Sequence, residues 1–225
     1  MRDIAVKVCG LRRGDEVAAA VAAGVRYLGF NFFPPSPRSI TPAEAAALGA
    51  AVPPGVARVG LFVDPTDALL AETLAVAPLD IVQLHGAETP ARVAEVRARF
   101  GLPVMKAVGV ADAADLAAIA AQGRVADMLL VDAKPPRDAV LPGGNGLAFD
   151  WRLIAGRRWP CPWLLAGGLT PGNVAEAIRL TGARQVDVAS GVESAPGVKD
   201  PARIRAFVEA ARAGGAALAP GGASC

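Results

Sequence analysis

Histidine, cysteine and tyrosine are scarce in this chain: one, three and one among 225 residues. A single histidine, with thiols as far apart as Cys9, Cys161 and Cys225, gives no His/Cys cluster and no C-x-x-C pair. That argues against both a zinc site and a disulfide framework. No apolar run approaches the ~18 residues that span a bilayer. The N-terminus carries Arg2, Asp3 and Lys7 instead of the apolar stretch of a signal peptide. Excess charge is lacking too: 23 Lys and Arg against 21 Asp and Glu leave +2, which is no electrostatic case for nucleic acid or an acidic membrane. Neither a G-x-G-x-x-G nor a P-loop is found, so no nucleotide cofactor is indicated. The expectation is a soluble cytoplasmic chain with reduced thiols and no metal.

What is present is apolar and regular. Hydrophobic residues make up 53% of the chain, and much of that is alanine, which speaks for helix. Strand patterns rich in β-branched and other apolar residues fall at 4–9, 27–32, 56–63, 80–85, 104–110, 127–132, 163–166 and 186–189. A helical stretch follows each, several opened by Thr-Pro, a cap residue with proline at the first helical position. Strand–helix units at roughly 25-residue spacing predict a closed (β/α)8 barrel over 1–213. The Gly/Ala-rich residues 214–225 read as a disordered tail.

A barrel of this kind builds its site at the carboxyl ends of its strands. Those ends are polar here: Cys9, Asn31, Asp64, His85, Asp132, Gly167-Gly168 and Ser190-Gly191, with Arg38 in the proline-stiffened loop after the second strand. Asp132 ends the run Met128-Leu129-Leu130-Val131, a setting that favours the neutral, proton-donating carboxyl; a loop-anchoring Asp fits the position equally. Cys9 is either a base or a small buried hydrophobe. Arg38 suits carboxylate or phosphate capture, or a plain surface role. His85 lines the pocket or serves the structure. Gly143 to Gly146, Gly167-Gly168 and Ser190-Gly191 are glycine turns after strands six, seven and eight. Their placement favours a phosphate cradle, although turn geometry alone also calls for glycine. The loop 133–147, the longest internal one, is a candidate lid hinged at Gly143 to Gly146.

Taken together, several stretches resemble the phosphoribosylanthranilate isomerase family of tryptophan biosynthesis. They are Val6-Lys7-Val8-Cys9-Gly10, Gly29-Phe30-Asn31-Phe32 with Ser36-Pro37-Arg38, Val82-Gln83-Leu84-His85-Gly86, Leu130-Val131-Asp132, Gly143-Gly144-Asn145-Gly146, Leu165-Ala166-Gly167-Gly168-Leu169, and Asp187-Val188-Ala189-Ser190-Gly191-Val192-Glu193 with Lys199-Asp200. The resemblance runs from the first strand to the last helix. It implies an Amadori aldose–ketose isomerisation of N-(5-phosphoribosyl)anthranilate without a cofactor. Cys9 would be the general base, Asp132 the general acid and Arg38 the ligand of the anthranilate carboxylate. Gly146, Gly167, Gly168, Ser190 and Gly191 would hold the phosphate. Asn145 departs from the family, which more often has a small hydroxyl residue there.

Two other readings stand beside this one. A related aminoaldose-phosphate isomerase of histidine biosynthesis would generally place a carboxylate where this chain has Cys9. A phosphosugar-binding barrel without catalysis would have no need of both Cys9 and Asp132. The first strand carries a further expectation. Ile4, Val6 and Val8 share one face and should meet the helices, while Ala5, Lys7 and Cys9 point inward. Strand eight closes against strand one, so the inward Asp187 should pair with Lys7, because a buried lysine needs a partner.

Overall fold

The computed structural model describes residues 3–134 and 149–218. Eight parallel strands close into a barrel: β1 (Ala5–Cys9), β2 (Tyr27–Asn31), β3 (Ala57–Phe62), β4 (Ile81–Leu84), β5 (Val104–Val110), β6 (Met128–Ala133), β7 (Trp163–Leu165) and β8 (Gln185–Val188). The ring closes between β1 and β8, with Lys7 in register with Asp187. The seams are unequal. β5 and β6 stay in register from Met105 to Val110, whereas β7 and β8 share the single registered pair Leu165 and Val186.

The helices are α1 (Gly14–Ala23), α2 (Pro42–Gly49), α3 (Asp67–Val76), α4 (Pro90–Phe100), α5 (Leu116–Gln122), α6 (Val174–Thr181) and α7 (Pro201–Ala216). The cap residues act as the Thr-Pro steps predict: Thr41 accepts from the N–H of Glu44, and Thr89 from that of Arg92. After β6 the described chain has only a 3-10 turn, Trp151–Ile154, where the sequence reading has a short helix.

Period-two alternation sorts the side chains of each strand. Val59, Ile81, Met105, Ala107, Leu130, Leu164 and Ala166 fill the barrel. Ile4, Val6 and Val8 turn outward into the larger layer between sheet and helices, as the strand pattern predicts.

Two features differ from the sequence reading. Residues 193–199 form a small antiparallel hairpin, β9 (Glu193–Ala195) and β10 (Val198–Lys199), in place of a plain loop. The last helix continues past Arg212 to Ala216, so 214–216 are not a tail. Gly214 and Gly215 are buried; a Cβ on Gly214 would press on the Ala175 backbone, and one on Gly215 would collide with Ile4. These glycines let helix backbones approach closely instead of ending the helix. Residues 219–225 lie outside the described residues, as do the candidate lid hinge and Gly146.

Candidate active site

Cys9 ends β1 with its side chain inside the barrel mouth and 5% exposed. Its neighbour in register is Gly29. A Cβ on Gly29 would stand 2.9 Å from the Cys9 sulfur, so glycine at that position makes room for the thiol. One step down the same strand, Lys7 is fully buried and donates to Asp187 Oδ1 at 2.8 Å. The expected pair therefore exists. Burial works to push the Lys7 ammonium down, but the charges of Asp187 and Cys9 outweigh it and raise its pKa above the ordinary lysine value.

The loop carrying Arg38 is built by side chains from β2 and its own turn. Asn31 Oδ1 accepts from the N–H of Phe33 at 2.8 Å, and Ser36 Oγ accepts from the N–H of Arg38 at 3.2 Å. Arg38 is buried and meets Glu193 with two nitrogens, Nε to Oε1 at 2.7 Å and Nη2 to Oε2 at 3.0 Å. Lys199 from β10 reaches the same carboxylate at 2.6 Å and the Ala189 carbonyl at 3.0 Å. Burial raises the Glu193 carboxyl, but Arg38 and Lys199 together hold it below the usual range. Burial lowers the Lys199 ammonium more than Glu193 restores it. Lys7, Arg38 and Lys199 each feel the charge of Cys9 as a thiolate.

Asp132 lies near the end of β6, and the only histidine comes within reach of it. His85 Nε2 is 3.4 Å from Asp132 Oδ2, and Asp132 Oδ1 accepts from the N–H of Ala133 at 2.8 Å. Behind His85, the fully buried Gln83 sets its amide nitrogen 2.8 Å from His85 Nδ1. The turn that follows is braced. Glu88 Oε2 accepts from the N–H of Gly86 at 3.0 Å and from Lys106 at 2.8 Å, while Lys106 also donates to the Gly86 carbonyl at 2.7 Å. Asp64 leans over this turn, accepting from the N–H of Ala87 at 2.8 Å.

The glycine turns after β7 and β8 meet. Gly167 and Gly168 adopt φ of 85° and 62°, left-handed conformations that glycine takes without strain. A Cβ on Gly167 would stand 3.2 Å from Asp132 Oδ1, so this turn also abuts Asp132. A Cβ on Gly191 would collide with the Leu169 carbonyl. Asn173 fixes the first turn by donating to the Gly168 carbonyl at 2.9 Å and accepting from the N–H of Thr170 at 2.7 Å. Ser190 and Gly191 lie in the 3-10 turn Ser190–Val192.

Of the residues singled out in the sequence, Cys9, Arg38, His85, Asp132, Gly167, Gly168, Ser190 and Gly191 all sit at the carboxyl ends of strands or in the loops that follow. Among the described residues no group of three or more His, Cys, Asp or Glu could hold a metal ion, and no helix is long and apolar enough to cross a membrane. The sequence reading gave Gln83, Glu193 and Lys199 no individual role. Glu193 is 155 residues from Arg38, and no local pattern links such a pair. A charged residue following a glycine turn at a strand end was the available signal.

The model of the N-(5'-phosphoribosyl)anthranilate (PRA) isomerase family matches residues 6–210. The N-(5'-phosphoribosyl)anthranilate isomerase of Paracoccus denitrificans is 70% identical over 210 residues, covering 93% of this chain and 98% of that protein. The one from Cereibacter sphaeroides is 62% identical over 212 residues, covering 94% and 100%. Among solved structures, phosphoribosyl anthranilate isomerase from Thermotoga maritima superposes with a TM-score of 0.83 at 34% identity, over 92% of this chain and 98% of that one. A phosphoribosyl anthranilate isomerase solved in complex with reduced 1-(o-carboxyphenylamino)-1-deoxyribulose 5-phosphate gives 0.81 at 33% identity, with the same coverage.

Proposed function

The chain belongs to the N-(5'-phosphoribosyl)anthranilate isomerase family, and from that premise we propose that it isomerises N-(5'-phosphoribosyl)anthranilate to 1-(2-carboxyphenylamino)-1-deoxyribulose 5-phosphate with Cys9 as base and Asp132 as acid. The reaction is a step of tryptophan biosynthesis. The observation that carries the assignment of roles is the electrostatic asymmetry of the mouth. Lys7 is the next inward position below Cys9 on β1, and the Arg38 side chain packs against Gly10 beside it, whereas Asp132 faces a histidine and a backbone N–H.

The steps balance with these two groups. Asp132 gives its proton to the ribose ring oxygen. The bond from C1 to that oxygen breaks, and the anilino nitrogen lone pair forms the C=N of an iminium. The iminium makes the C2 proton acidic, and the Cys9 thiolate takes it, leaving an enolamine. The enol oxygen then returns a proton to the Asp132 carboxylate while the Cys9 thiol protonates C1. Product leaves as the ketone, with both groups in their starting states. Every transfer is between acid–base groups, so the chemistry calls for no cofactor.

Binding is assigned to the same mouth. Arg38, its plane fixed by Glu193, takes the anthranilate carboxylate. Gly167, Gly168, Ser190 and Gly191 cradle the phosphate. Gly146 is part of the same reading, carried by the family resemblance alone. Both a monomer and a homodimer fit, since all the proposed residues come from one chain. We take the reaction to run in the cytoplasm, where a thiol base stays reduced.

The test is a fluorescence assay following consumption of freshly generated phosphoribosylanthranilate. Cys9→Ala and Asp132→Asn should fold normally and lose about 100- to 10,000-fold in kcat. Wild-type turnover in either variant would overturn the roles. Turnover of the histidine-pathway aminoaldose phosphate at a comparable rate would widen the substrate range.

A further inference from the structure

Gln83 is a polar side chain in a place that packing does not require. It is the middle of three inward-facing positions on β4 and the residue after it, Ile81, Gln83 and His85. Its partners in register on the flanking strands are Leu61 and Met105. It is fully buried, and its Oε1 finds no hydrogen-bond partner among the described residues. A buried amide left half-satisfied beside Leu61 and Met105 costs stability. Among the described residues its one hydrogen bond is to His85, at 2.8 Å from Nδ1.

That bond decides which ring nitrogen of a neutral His85 carries the proton. An amide N–H pointing at Nδ1 requires a lone pair there, which leaves the proton on Nε2. Nε2 is the nitrogen 3.4 Å from Asp132 Oδ2. We propose that Gln83 is a positioning residue that holds His85 as the Nε2–H tautomer, so that His85 stabilises the carboxylate left on Asp132 when it protonates the substrate. The inference rests on Asp132 being the acid. With the other tautomer, a nitrogen lone pair would face the carboxylate, and the charge formed on proton release would be opposed instead of supported. Ala133 N–H already serves Oδ1. The Ala133 N–H on Oδ1 and the Nε2–H group 3.4 Å from Oδ2 both stand beside the charge that develops on Asp132 as the proton leaves.

His85 is the only histidine in the sequence, so tag-free protein labelled with 15N-histidine reports on this one ring. Long-range proton–nitrogen correlation spectra should show Nε2 protonated and Nδ1 unprotonated in the wild type. Gln83→Met, which keeps size and removes the donor, should give a tautomer mixture and lower kcat about tenfold or more, with KM changed far less. Gln83→Glu, an acceptor only, should move the proton onto Nδ1 and lower kcat as well. A wild-type ring protonated on Nδ1 overturns the inference, even if neither variant folds. So does a tautomer shift without loss of kcat, or a loss of kcat without a tautomer shift. Asp132→Asn tests the underlying reading separately: full turnover in that variant removes the acid, whatever tautomer His85 holds.

Discussion

Lys7 shows what a single residue can decide in this fold. It has no exposed surface and one carboxylate partner, Asp187 at 2.8 Å. Replacing one member of such a pair leaves the other charge buried and uncompensated, which typically costs about 3–5 kcal/mol. Lys7→Met should therefore shift the urea unfolding midpoint markedly downward, and Lys7→Met with Asp187→Leu should recover most of the loss. If the double variant is no more stable than the single, the pair is not what holds the strands. This pairing was legible in the sequence because closure of the barrel dictates which strands touch and alternation dictates which side chains face in. The bidentate grip of Glu193 on Arg38 was not legible, since it depends on a hairpin with strands of three and two residues. Asp64 is an intermediate case. Its strand-end position was visible, but its φ of 45°, the only positive value on a non-glycine among the described residues, was not.

Elements were read more easily than their boundaries. All eight strands could be placed because each is a short run of β-branched, aromatic or other apolar residues followed by a loop and a helical stretch. The end of α7 was misplaced because glycine has two uses. At Gly214 it resembled the start of a tail, yet the pair Gly214-Gly215 is where α7 lies against α6 and the first strand. Gly215→Ala should thus force the helix off Ile4 and destabilise by about 1–3 kcal/mol, the usual scale of overpacking. A compensating Ile4→Ala should return part of that, so a double-mutant cycle on thermal unfolding would show coupling between the two sites. Additive effects would mean that the helix end moves independently of β1.

On the scale of the whole molecule, buried charge collects at the carboxyl-terminal mouth, where Arg38, Glu193 and Lys199 join the loop after β2 to the hairpin after β8. Glu193 titrates below its ordinary value of 4.5 in the folded state, because Arg38 and Lys199 outweigh its burial. A carboxyl whose folded pKa is depressed contributes stability that is complete above the unfolded value and is lost as pH falls through the folded one. The stability gap between wild type and Glu193→Gln should hold from neutral pH down to about 4.5 and narrow below it, measured by urea unfolding at a series of pH values. A gap that stays constant into acid would show that Glu193 acts by shape alone.

The ring itself has one thin joint. β7 and β8 meet through the single registered pair Leu165 and Val186, and the two glycine turns proposed for phosphate stand directly above it. A phosphate held by both turns would span that joint like a clasp, doing from outside what strand pairing does elsewhere in the barrel. Substrate would then finish the scaffold as well as occupy it. Backbone amides of β7 and β8 should exchange with deuterium faster than those of β5 and β6 in the free protein, and should slow more than the rest of the barrel when product is added. Uniform slowing of all eight strands would mean that the joint is as tight as its neighbours without the ligand.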